Sequence, residues 1–166
     1  AVDMQSLVAD TRAMLDSNLQ AEAENSGHAH HVEWSIAPLP IVVGDENMIR
    51  QVWLNLLGNA VKYSGNREPA KIRVDYQPQP DGGHQFTVSD NGAGFDMAYA
   101  GKLFGVFQRL HRASDYPGTG IGLASVRRVL TRHGGRIWAE AEPDVGATFH
   151  FYLPPAIDAD KQGPSA

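Results

Sequence analysis

Asn55, Asn59 and Lys62 follow one another at spacings of four and three residues. On a helix, at about 100° per residue, such spacing gathers them with Gln51 within roughly 80° on one side. An amide oxygen on that stripe can complete an octahedral Mg²⁺ shell beside waters and phosphate oxygens, and a nearby lysine can neutralise phosphate charge. Further on, Asp90 is followed by Gly92 and Gly94. A carboxylate there can accept a hydrogen bond from an exocyclic amine, and the glycines let backbone approach a flat base closely. Third, Gly118-Thr119-Gly120-Ile121-Gly122-Leu123 opens a helix. Its free N–H groups and positive dipole end favour a phosphate. In this order the three segments read as a nucleotide site.

Each segment also has a plainer reading. The stripe alone reads most readily as a solvated face, but asparagine is a poor helix former, and two at i, i+4 on an apolar helix call for a reason such as a ligand. Asp90-Asn91-Gly92 is equally a good turn sequence. The third segment could be a hinge, for a helix or for a lid over a ligand. Its spacing is not the dinucleotide fingerprint, and it lacks the lysine of a P-loop.

The elements that must hold these residues follow from periodicity. Met4, Leu7, Val8, Thr11, Met14, Leu15 and Leu19 predict an amphipathic helix from about Asp3 to Glu24. His31 to Ile36 alternates as a strand, and Pro38-Leu39-Pro40 separates it from a short strand at Ile41-Val42-Val43. Asp45 is a candidate N-cap for the striped helix, whose apolar side is Ile49, Val52, Trp53, Leu56, Leu57 and Ala60, and Ser64-Gly65-Asn66 stops it near Tyr63. Lys71 to Tyr76 and Gln85 to Ser89 read as a long hairpin that delivers Asp90 to a sheet end. Gly101 to Phe107 reads as a short helix, Gln108 to Pro117 as a mobile loop, and Ile121 to His133 as a third long helix stopped by Gly134-Gly135. Two closing strands lie near Arg136 to Ala141 and Ala147 to Leu153. The whole predicts an α/β (α+β) two-layer sandwich, with three main helices on one face of a mixed, largely antiparallel sheet of about five strands. Residues 1–153 form the expected domain, and 154–166, without period, an expected disordered tail.

Composition narrows the class. The chain has 166 residues, 42% hydrophobic, a size that suits one domain with a proper core. Fourteen basic against 19 acidic residues give a net charge of −5 with no basic block, which argues against nucleic acid and against membrane contact by this domain. Without cysteine there is neither a disulfide framework nor a thiolate metal site. No apolar run reaches membrane-spanning length and the N-terminus has no signal-peptide character, so a soluble, cytoplasmic piece of a longer protein is expected.

With these residues in view, residues 3–153 resemble the ATP-binding catalytic domain of bacterial sensor histidine kinases, of the Bergerat-fold ATPase superfamily. Asn55 to Ser64 is similar to that family's N box, Asp90 to Phe95 to its first glycine box, Lys102 to Leu110 to its F box and Gly118 to Leu123 to its second. Phe107-Gln-Arg-Leu-His-Arg-Ala-Ser114 with the second glycine box looks most like the phytochrome-type branch. The resemblance implies ATP and Mg²⁺ as cofactors and a mobile ATP lid. It implies that Asn59 ligates Mg²⁺, that Asn55 sits near metal and phosphates, and that Lys62 and Tyr63 line the triphosphate. Asp90 would hold the adenine amine, with Gly92 and Gly94 flanking the base and Thr148 reaching adenine through water. Arg109 and the backbone from Gly118 through Thr119, Gly120, Ile121 and Gly122 to Leu123 would close over the phosphates. One departure is Asp144, where the family usually has glycine, which puts the turn before Thr148 in question.

Hydrolytic members of the superfamily carry a glutamate four residues before the metal asparagine. Here that position is Asn55, and an amide cannot take a proton from water, so the site suits transfer rather than hydrolysis. The expected acceptor is a histidine on a separate dimerisation and phosphoacceptor domain, of the same or a partner kinase, with a response regulator downstream. None of the seven histidines has the acceptor's expected setting. His28, His30 and His31 cluster, but without further ligands at metal spacing they read as loop and strand start rather than a zinc site. Two alternatives remain: a serine kinase of the anti-sigma type, against which the long lid argues, and a nucleotide-binding regulatory module without kinase activity, which the intact motifs disfavour.

Overall fold

A computed structural model describes residues 1–27, 30–95, 97 and 121–155. The first helix, α1 (Met4–Ser26), starts where Asp3, its N-cap, accepts the Ser6 N–H at 3.3 Å, and ends at Gly27 in the left-handed conformation. Met4, Leu7, Val8 and Thr11 are its buried face. The striped helix, α2 (Glu46–Tyr63), is capped by Asp45, which accepts the Met48 N–H at 3.0 Å. It ends at the buried Ser64, whose hydroxyl donates to Ala60 O at 2.6 Å. The third, α3 (Ile121–Arg132), buries Leu123, Ala124, Val126 and Leu130.

The strands are β1 (Val2–Asp3), β2 (Val32–Ile36), β3 (Ile41–Val42), β4 (Ala70–Pro78), β5 (His84–Asp90), β6 (Arg136–Glu142) and β7 (Gly146–Leu153). Five of them form one sheet in the order β2-β4-β5-β7-β6, antiparallel except for β2 and β4. That parallel pair follows from connectivity, because α2 lies between the two strands in the chain and such a crossover returns the strand in the same direction. The predicted strand at Ile41-Val42-Val43 is found one residue shorter and outside the main sheet, paired with β1, which is too short to leave an alternation signal.

The two-layer architecture matches the expectation. Ile72, Val74, Phe86, Val88, Phe149 and Phe151 alternate inward against the helices. Trp53 of α2, fully buried, meets Phe86 and Phe151 edge-on at 5.6 and 5.1 Å between centroids, and those two rings stack at 4.9 Å. Aromatic packing of this kind adds to a large apolar burial and fixes α2 on the sheet. The predicted short helix and loop over 101–117 lie outside the described residues, as does the tail from residue 156; Pro154 and Pro155 are half-buried beyond β7.

Candidate functional site

α2 carries the stripe as the periodicity requires. Its apolar side is buried, so Asn55 and Asn59 are left half-buried and Lys62 exposed on the other. A cavity of about 540 Å³ opens there. Asn55, Asn59 and Lys62 line one wall, and Asn18 and Glu22 of α1, with His30, contribute to another. The sequence reading did not single out that second wall. Both α1 side chains stand at i, i+4 on its polar side, a pattern that also describes any solvated helix face. His30 and His31 lie nearby with partners of their own: a His30 ring nitrogen is 3.3 Å from Ser64 O, and Nδ1 of His31 is 2.8 Å from Glu68.

The second part of the site is the end of β5. Asp90 is the last residue of the strand, and its side chain shares the helix-facing side with Phe86 and Val88. Burial raises its pKa to about 6, opposed by the N–H groups of Gly92 and Ala147, which favour the charged form. The Gly92 N–H donates to Asp90 Oδ1 at 2.8 Å, which orients the carboxylate.

The turn that follows is tied down from several directions. The Ala93 N–H donates to Tyr63 O, the last carbonyl of α2, at 2.9 Å, so the turn and the stripe share a contact. Asn91 bridges to the start of β4: its Oδ1 accepts the Lys71 N–H at 2.8 Å and its Nδ2 donates to Pro69 O at 3.2 Å. Arg67 donates through Nε to Asn91 O at 2.7 Å, and through Nη2 to Gly92 O at 3.3 Å and to Asp144 O. A Cβ on Gly92 would collide with the Tyr63 carbonyl, and one on Gly94, at φ 64°, with the Glu142 carbonyl. The close approach that these glycines permit within the chain is to protein backbone.

Asp144 occupies the β6–β7 turn with φ 64°, the left-handed conformation that glycine takes most easily and aspartate tolerates. Its N–H donates to Ala93 O at 2.7 Å, so the departure from the expected glycine leaves the turn seated on the Asp90 loop.

Asn55, Asn59 and Lys62 thus line the cavity together, while Asp90, Gly92 and Gly94 share a turn that meets the end of α2 at the Tyr63 carbonyl. The structure does not bring Thr148 to either place. Asp90 pairs across the sheet with Ala147 and Ser89 with Thr148, so Thr148 lies on the opposite face, its hydroxyl 3.3 Å from that of Ser89. Arg109, Gly118, Thr119 and Gly120 lie outside the described residues. Ile121 and Gly122 begin α3, and the Leu123 side chain is buried in the core, leaving its backbone for any ligand.

A helix-borne amide stripe on a helix-covered mixed sheet, with a central strand that ends in a buried carboxylate, is an arrangement that suits a nucleotide-binding ATPase domain. Residues 44–157 match the family model described as histidine kinase-, DNA gyrase B- and HSP90-like ATPase, and the chain belongs to that family. It is 38% identical over 138 residues to the phytochrome-like protein Cph1 of a Synechocystis strain, covering 83% of this chain and 18% of that protein. It is 43% identical over 116 residues to the adaptive-response sensory kinase SasA of Thermosynechococcus vestitus, covering 70% of this chain and 30% of that one. The chain thus spans under a third of the length of these curated relatives. Among solved structures, the mycobacterial sensor histidine kinase MprB superposes with a TM-score of 0.73 at 24% identity, covering 92% of this chain and 95% of that one. Full-length ShkA in complex with AMPPNP superposes with the same TM-score at 26% identity, covering 94% of this chain and 31% of that one.

Proposed function

We propose that the domain binds Mg·ATP and passes the γ-phosphoryl group to a histidine on a separate dimerisation and phosphoacceptor domain, as part of two-component signalling. A response regulator would then receive the phosphate. The observation that carries this reading is the pairing of an amide-only stripe, Asn55 and Asn59, with the buried Asp90, joined through the Tyr63–Ala93 contact. The ShkA structure, which holds an ATP analogue, supports it.

The ligand would lie with its adenine at Asp90 and its phosphates along the stripe toward Asn55, a rise of roughly 12 Å from Tyr63 at about 1.5 Å per residue. Asp90, ionised above pH 6, accepts the exocyclic amine, and Lys62 offsets phosphate charge. Mg²⁺ fits this donor set. Among the described residues no group of three or more His, Cys, Asp or Glu is placed to hold a metal, while Mg²⁺ keeps several waters and takes one or two protein oxygens plus phosphate. Asn59 supplies such an oxygen; the ion would neutralise charge building on the transferred group. Asn55, an amide, holds no proton-accepting role toward water, which leaves the phosphoryl group for an incoming nucleophile.

Among the described residues no helix is long and apolar enough to cross a membrane, and we place the domain in the cytoplasm, alone or as part of a larger sensor. The test is incubation with ATP labelled at the γ-position and a separately purified helical domain that carries the acceptor histidine. Label on the partner that is lost in acid supports the proposal. Acid-stable label would point to a serine kinase, and no transfer from a domain that binds ATP to a non-catalytic module.

A further inference from the structure

Among the described residues, Arg67 is a cation that donates to three main-chain carbonyls of two different loops. It lies in the segment between α2 and β4, half-buried, and its recorded partners are main-chain carbonyls. Two of these, Asn91 O and Gly92 O, belong to the turn after Asp90; the third, Asp144 O, belongs to the β6–β7 turn seated against it. A guanidinium presents its donors as a rigid planar fork, which a lysine ammonium cannot reproduce on three acceptors fixed by two different loops. Asn91 is half-buried and Asp144 exposed, with Gly92 buried between the two turns, so what this fork holds together is the edge of the site.

We propose that Arg67 is a positioning residue for nucleotide recognition, which sets the direction of the Asp90 carboxylate by clamping the glycine turn to the β6–β7 turn. The chain of contacts is short. Arg67 fixes Asn91 O, the carbonyl of the same peptide whose N–H, that of Gly92, meets Asp90 Oδ1, and the next carbonyl, Gly92 O. The opposite turn is held to the same place by the Asp144 N–H on Ala93 O. Without the clamp the Gly92 N–H is no longer held at 2.8 Å, and the carboxylate is free to rotate away from a ligand's amine. This inference rests on the reading of Asp90 as the adenine acceptor.

The experiment compares the parent with Arg67→Ala and Arg67→Lys. Calorimetry gives the affinities for non-hydrolysable ATP and GTP analogues with Mg²⁺. Carboxyl-carbon NMR follows the titration of Asp90 in the nucleotide-free protein. Both variants should bind the ATP analogue about tenfold more weakly and lose a similar factor in their ATP-to-GTP preference, with lysine failing to restore it. The Asp90 midpoint should move further up, because an N–H that favours the charged form is lost. A preference unchanged from the parent overturns the proposal, even if the melting temperature falls. Should the alanine variant not fold, the lysine variant decides by the same readouts. A parent that binds neither nucleotide, or both equally, defeats the adenine reading itself. The Asp90 titration then still decides the role of Arg67, and an unmoved midpoint overturns it.

Discussion

The two halves of the site are built in opposite ways. The stripe on α2 owes its geometry to one helix: with Trp53, Leu56 and Leu57 buried, Asn55, Asn59 and Lys62 are left on a side that lines the cavity. The Asp90 turn has its own local bond from the Gly92 N–H, but it is also tied to separate segments at Tyr63, Arg67, Lys71 and Asp144. The end proposed for metal and phosphates thus lies toward solvent, with Lys62 exposed. The end proposed for the base is hydrogen-bonded into place without a ligand, and that is where discrimination between bases would be decided.

This contrast is open to direct attack. The largest effect is expected for Asn59→Ala, which removes the amide oxygen proposed to ligate Mg²⁺. Phosphoryl transfer to a supplied acceptor domain should fall by about 100-fold or more, while the thermal melt stays close to that of the parent, since the helix gains alanine. A melt that collapses would mean the stripe is structural after all.

At the other end, Gly94→Ala should act through stability first. It forces a Cβ against the Glu142 carbonyl at a positive φ, so a loss of about 2 kcal/mol, or roughly 30-fold in the folding constant, is expected. Thermal unfolding should show this as a fall of about 4–8 °C; an unchanged melt would show the turn to be looser than described.

The third expectation concerns pH. The folded Asp90 value, about 6, lies above the ordinary 3.8, so burial of the ionised form works against folding. The contribution favouring the folded state is fully present below pH 4 and is lost as pH rises through about 6. Melts of the parent and of Asp90→Asn should therefore diverge in favour of the variant as pH rises from 4 to 7. Affinity for an ATP analogue should fall about tenfold from pH 7 to pH 5 in the parent, following the loss of the carboxylate. Asp90→Asn should bind weakly and lack that component. Parallel pH profiles in the two proteins would remove Asp90 from recognition. The smallest effect is expected for Thr148→Val, on the far face of the sheet. Nucleotide affinity should stay within twofold, with a stability change of about 1 kcal/mol or less for the lost hydroxyl contact; a larger loss of affinity would return Thr148 to the site.

What the sequence made legible follows the same division. The stripe could be read because a helix period is local, and Asp90 because a strand and a turn signal adjoin it. Thr148 was misplaced because one residue of register decides the face on which a side chain stands, and the pairing of Asp90 with Ala147 is set across the sheet. Arg67 was passed over because its contacts to Gly92 and Asp144 join segments 25 and 77 residues away. The glycines were legible as necessary, but their reason, collision with Tyr63 and Glu142 backbone, exists only in the folded chain. The sheet was legible as mixed, but which strands form its parallel pair, β2 and β4, follows only once the crossover through α2 is placed.

The central claim is that one ligand bridges the two halves. Its most direct test is the Mg²⁺ dependence of ATP-analogue binding, measured by calorimetry in the parent, Asn59→Ala and Asp90→Asn. The account predicts that Mg²⁺ tightens binding to the parent and to Asp90→Asn by a similar factor, that Asn59→Ala loses this factor, and that Asp90→Asn is weaker at every Mg²⁺ concentration. No binding to the parent, or a Mg²⁺ effect that survives Asn59→Ala intact, would contradict it.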